Sequence, residues 1–168
     1  MNDAEAAGIG EARVGAGKDH RVVAYVTVST GIGGALIVDG SSVPHAIGHE
    51  PGKQIIDYTT MTPLDRLAEG ASLEKEFGKP PQGIPRDVYE ERTRVLAAGF
   101  YNLLCLWSPD IIVVGGGLMN DKTGYSLEAI VKELSGLPVR LPPLPPVVHA
   151  ALGDDSGLIG AALVSLED

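Results

Sequence analysis

The chain has 168 residues, 44 % of them apolar, which suits one domain with a real core. A net charge of −9 argues against nonspecific partners such as nucleic acid or anionic lipid. The single cysteine, Cys105, excludes an internal disulfide and a cysteine zinc cluster, and is expected as a small core residue.

No apolar run reaches bilayer length, and the acidic start MNDAEAAG does not read as a signal peptide, so a cytoplasmic location is expected. In chain order, Asn2-Asp3 precedes an alanine-rich run with helical propensity, and either residue can cap that helix. A domain normally has chain before its first capping pair, so a preceding piece is expected. Val22–Val28 has strand composition, and residues 35–38 repeat it. Between them lies Ser29-Thr30-Gly31-Ile32-Gly33-Gly34, read as one glycine-rich turn. Asp39-Gly40 signals a hairpin, and residues 41–56 read as short strands and loop.

Residues 60–70 read as a short helix with Pro63 in its first turn and Gly70 as its stop. Residues 72–77 read as another, and 79–85 as a loop. Arg86–Trp107 carries the longest helical pattern, with apolar residues spaced by three and four. Residues 111–114 form a wholly apolar strand running into Gly115-Gly116-Gly117. A helix over 126–134 closed by Gly136, a proline-rich connection over 138–146, a strand over 147–150 and a helix over 157–165 capped by 153–156 complete the chain. The alternation of strand and helix in the second half indicates an α/β fold.

Two glycine-rich turns each follow a strand, and in open α/β sheets ligands bind beyond the carboxyl ends of strands. The turn at Thr30–Gly34 fits either a tight hairpin or a nest of N–H groups for a phosphate. Gly115–Gly117 matches neither a dinucleotide fingerprint nor a Walker loop, and taken alone it reads as a strand-to-helix turn that needs small residues rather than as a ligand site. Asp3 at a helix start is stabilised by backbone N–H groups and the dipole, and on this evidence alone reads as a helix cap before a functional carboxylate. Glu50 and Lys53 sit on a turn, either on a polar ligand or in solvent. His45, His49 and His149 lack the spacing of a metal site.

These pieces, taken together, resemble the ROK family of repressors, open reading frames and sugar kinases. The residues that carry the likeness stand in family order. They are Asn2-Asp3-Ala-Glu-Ala-Ala, Thr30-Gly31-Ile32-Gly33-Gly34 with Asp39-Gly40, Gly48-His49-Glu50-Pro51-Gly52-Lys53, and Leu64-Asp65 with Glu69-Gly70. Ser108-Pro109-Asp110 followed by IIVVGGG, and the run from Leu152 to Ala162, complete them.

The resemblance implies an actin-like, ribonuclease-H-like ATPase fold, a mixed sheet with flanking helices. It implies transfer of the γ-phosphoryl of ATP, with Mg²⁺, to a hexose. Asp3 matches the general base, Asn2 a sugar-binding amide, and Thr30, Gly31, Gly33 and Gly34 the second phosphate loop. Glu50 matches a sugar-binding carboxylate, and Lys53 and Asp65 stand at sugar-binding positions. Gly115, Gly116 and Gly117 match the turn beside the adenosine. A homodimer is common in the family.

Three departures shape the expectations. The first phosphate loop, Asp-x-Gly-Gly-Thr, and the N-terminal lobe that carries it are not in this sequence, so residues 1–168 are expected to be a C-terminal lobe. Little kinase activity is expected from such a lobe alone, and the missing lobe becomes an expected partner. Lys53 replaces the usual His, and the cysteine-rich zinc loop is missing, so no structural zinc is expected. The alternatives are a sugar-sensing ROK regulator without turnover, and a fragment that only associates with a separate N-terminal lobe. Polyphosphate is an alternative phosphoryl donor.

Overall fold

The computed structural model describes residues 1–138 and 143–166. Residues 139–142 of the proline-rich connection lie outside the described residues. The centre is a five-stranded mixed sheet built on β1 (Val22–Val28). β1 pairs antiparallel with β2 (Ile32–Val38) and parallel with β6 (Ile111–Gly115). β3 (Ser41–Ser42) extends the sheet beyond β2, and β7 (Val147–His149) lies parallel to β6 at the other edge. β4 (Ile55–Asp57) and β5 (Thr62–Pro63) pair apart from it.

Side chains alternate across a strand, so β1 and β6 feed two cores. Val23, Tyr25, Ile111 and Val113 face α1 (Asp3–Arg13), with α6 (Ser156–Ser165) packed on α1's other side. Ala24, Val26, Val28, Ile112 and Val114 face the opposite layer. That layer holds α2 (Leu64–Ala68), α3 (Gly70–Phe77), α4 (Arg86–Trp107) and α5 (Leu127–Ser135). α1 is buried almost all round, which its Ala and Gly content permits. A side chain on Gly160 would occupy the Ala6 carbonyl, and one on Gly10 would begin 2.6 Å from the Ser156 carbonyl. The two helices therefore cross backbone against backbone.

α4 and β1 have the bounds that their patterns predict. Asp39 and Gly40 both take positive φ, 51° and 75°, the geometry of a two-residue hairpin turn. Elsewhere local signals were overridden. Gly70 does not stop a helix but opens α3, because its N–H donates to the Ser29 carbonyl (2.8 Å). Thr62–Pro63 is strand, so the helix expected over 60–70 shrinks to α2. The last helix begins at Ser156 after a 3₁₀ turn, Gly153–Asp155, with no side-chain cap. Cys105 is exposed rather than core, beside Leu106, which is 78 % exposed. Leu103 and Leu104 take the buried face of that turn of α4, and the next two residues point outward. Among the described residues no helix is long and apolar enough to cross a membrane.

Candidate active site

The carboxyl ends of β1 and β6 and the N-terminus of α1 meet at one edge of the sheet. Asn2 caps α1 through a capping box: its Oδ1 accepts from Glu5 N (2.8 Å), and Glu5 Oε2 accepts from Asn2 N (3.2 Å). The cap is thus Asn2, and Asp3 is the first helical residue, with its carboxylate at the positive end of the helix.

The glycine-rich turn is shorter than the sequence suggests. Only Ser29, Thr30 and Gly31 form it, closed by Ser29 N–H donating to the Gly31 carbonyl (2.9 Å). Gly33 and Gly34 belong to β2, opposite Thr27 and Val26. None of the three glycines takes positive φ. Gly34 is required for another reason: a side chain there would begin 2.8 Å from Pro51 Cγ and from the Tyr25 carbonyl. The turn is anchored from below, because the carbonyls of Ser29 and Thr30 accept from Gly70 N (2.8 Å) and Ala71 N (3.0 Å).

Among the glycines of these two segments, Gly116 is the one that takes positive φ. Its φ is +100°, and a side chain would run into the Val28 carbonyl. That carbonyl accepts from Leu118 N (3.0 Å), tying the two glycine-rich turns together. Gly115 plays a different part from the one expected. It ends β6, and the space of its missing side chain is taken by the Tyr25 hydroxyl, 2.7 Å from where Cβ would stand. Burial pushes the Tyr25 hydroxyl pKa up.

A cleft of about 380 Å³ opens over the first turn. Asn2, Asp3, Thr30, Gly31, Gly33, Gly34, Glu50, Lys53 and Asp65 all line it. Asn2 Nδ2 and Glu50 Oε1 lie 3.7 and 3.8 Å from where a Gly48 side chain would begin, so both reach the same corner. Lys53 Nζ donates to Asp65 Oδ2 at 2.5 Å. The Asp65 carboxylate holds the Lys53 ammonium above its ordinary pKa. Asp65 is 5 % exposed, and its Oδ1 is buried with no hydrogen-bond partner among the described residues.

A second cleft, about 270 Å³, shares Asp3, Ala4, Thr27 and Ser29 with the first. It continues past Gly116 and Gly117 to Gly153, Asp154 and Gly157. Asp3 stands where the two meet. Gly115 lines neither. Two further residues of the first cleft had no role assigned from the sequence. Glu69 reaches over Gly31, and His49 forms part of the wall. His49 stacks edge-on with Trp107 and His45, each at 5.3 Å; burial and the His45 charge lower its pKa. Both residues stood inside quoted motifs, but only the folded chain brings them to the cleft.

The sequence profile of the ROK family matches residues 1–51 and 65–167, leaving out the segment that carries Lys53. The fructokinase of Pediococcus pentosaceus is 30 % identical over 182 residues, covering 97 % of this chain and 62 % of its own length. A polyphosphate glucokinase of Mycobacterium tuberculosis is 33 % identical over 172 residues, covering all of this chain and 54 % of its own. This chain therefore spans between half and two thirds of those relatives. The crystal structure of the inorganic polyphosphate/ATP-glucomannokinase from Arthrobacter superposes with a TM-score of 0.69 at 32 % identity, over 100 % of this chain and 56 % of that one. The mixed sheet with helices on both faces is accordingly the actin-like ATPase fold of the sugar kinases, and the chain belongs to the ROK family.

Proposed function

We propose that this chain is the C-terminal lobe of a hexose kinase that transfers a phosphoryl group from ATP to a sugar hydroxyl. The observation that carries the reading is the position of Asp3, at the junction of the cleft lined by Asn2, Glu50 and Lys53 and the cleft that runs past Gly116. A base between an attacking hydroxyl and a phosphate is what phosphoryl transfer needs.

In this reading Asn2, Glu50 and Lys53 orient the sugar. Asp3 accepts the proton of the attacking hydroxyl as its oxygen bonds to the γ-phosphorus and the bond to the bridging oxygen breaks, releasing ADP. The backbone around Thr30 and Gly31 faces the phosphates. Asp65 acts through Lys53, because its carboxylate is buried behind the ammonium. Asp3 and Asp154 both line the second cleft. Asp154 would hold Mg²⁺ alongside phosphates and water, which leaves the Asp3 carboxylate to take the proton. Bound with the nucleotide, Mg²⁺ supplies charge neutralisation on the phosphates.

A coupled assay on the full-length protein with ATP and a panel of glucose, fructose and mannose tests the reading. Sugar-dependent ADP release, diminished by Asp3→Asn, supports it. Turnover with polyphosphate and none with ATP would move the donor to the polymer. Sugar binding without turnover from either donor would instead support the regulator.

A further inference from the structure

Among the described residues Glu11 is the largest of the buried non-aromatic polar side chains, it is wholly buried, and the mechanism leaves it unused. It lies on α1 eight residues beyond Asp3, about 12 Å along the helix. Its carboxylate spends both oxygens on backbone donors. Oε2 accepts from Ala16 N (2.8 Å) and Ala151 N (3.1 Å), and Oε1 accepts from Leu152 N (2.8 Å). Two of these donors are 140 and 141 residues away in sequence.

Ala151 and Leu152 lead from β7 into the 3₁₀ turn and α6. The residues that follow them, Gly153, Asp154 and Gly157, form the far wall of the cleft that Asp3 and Gly117 also line. A single side chain thus joins the helix that carries Asp3 to the loop that shapes the other side of the same cleft. The space for it is reserved: a side chain on Gly15 would occupy the position of Glu11 Oε2. A carboxylate suits the task because it only accepts, whereas an amide would turn an NH₂ toward one of the N–H groups.

We propose that Glu11 is a positioning residue that sets the nucleotide wall of the cleft relative to Asp3. This rests on the kinase reading above. The test uses the full-length protein, Mg²⁺-ATP and the sugar it phosphorylates best. Glu11→Gln should raise the KM for ATP about ten-fold, the loss of one buried hydrogen bond near the site, and leave the KM for sugar within about two-fold. Amide hydrogen exchange in the 150–157 segment should quicken. Thr93→Val serves as the control for lost stability alone, since its buried hydroxyl donates to the Tyr89 carbonyl (2.7 Å) away from both clefts. It should lower the melting temperature and leave both KM values in place. Equal changes in both KM values for Glu11→Gln, or a change in melting temperature alone, overturns the positioning role and leaves the kinase reading standing. A wild-type protein that transfers no phosphoryl group overturns both.

Discussion

Lys53 Nζ lies 2.5 Å from Asp65 Oδ2, and the two side chains differ sharply in exposure. The lysine side chain is 68 % exposed and the aspartate side chain 6 %. Asp65 is therefore the fixed partner, and Lys53 is the group that it presents to the cleft. An ammonium is donor-only, so a ligand atom that it meets must accept.

If Asp65 works through Lys53, the two residues should not contribute independently. Asp65→Asn and Lys53→Met should each raise the sugar KM, by about ten-fold for a lost charge-assisted hydrogen bond. The double variant should be little worse than either. A double-mutant cycle on sugar KM measures the coupling; additive losses would mean that Asp65 meets the sugar on its own.

Gly116 and the β2 glycine Gly33 should behave differently. Gly116→Ala forces a side chain into the Val28 carbonyl at a positive φ and should cost about 2 kcal/mol or more, seen as a lower denaturation midpoint. Gly33→Val should leave the fold mostly intact, because the first atom of its side chain would meet only Ala4 Cβ and Thr27 Cγ2, each at 3.4 Å. It should nonetheless abolish ATP binding, which calorimetry on the full-length protein would detect.

Tyr125 fastens the site from behind. Its buried hydroxyl donates to the Ala68 carbonyl (2.9 Å), immediately before Glu69 and Gly70, and its ring packs edge-on with Tyr89. Tyr125→Phe strands that carbonyl and should cost about 1–2 kcal/mol, or a few degrees of melting temperature for a domain of this size. An unchanged midpoint would show that water replaces the hydroxyl there.

His49 gives the stability a pH dependence. Its folded pKa is lowered by burial and by the His45 charge, with Glu5 opposing them. The unfolded chain therefore binds a proton more readily than the folded one. Stability should fall as pH drops below about 6.5, the unfolded histidine value, and go on falling until the folded pKa is passed. His49→Gln should flatten this part of a melting-temperature profile; the same slope in both proteins would assign it to other groups.

Much of the fold was legible because its central elements announce their periods. α4 repeats apolar residues at three and four, and β6 is apolar throughout because both its faces are covered. Asp3, Glu50 and Thr30 could be picked out because motif and spacing are local. What stayed hidden depends on contacts distant in sequence. Two of the three Glu11 partners lie at the other end of the chain. The exchange of Gly115 for the Tyr25 hydroxyl is invisible until β1 and β6 pair. Cys105 fits an apolar pattern yet faces outward, since the five-residue apolar run Leu103–Trp107 on a helix cannot all point one way.

The central claim is that Asp3 is the proton acceptor for phosphoryl transfer. The most direct measurement is the kcat of Asp3→Asn in the full-length protein, at saturating ATP and sugar. The account predicts a fall of about 10²–10⁴-fold, with the sugar KM little changed. A variant that keeps wild-type kcat would contradict it.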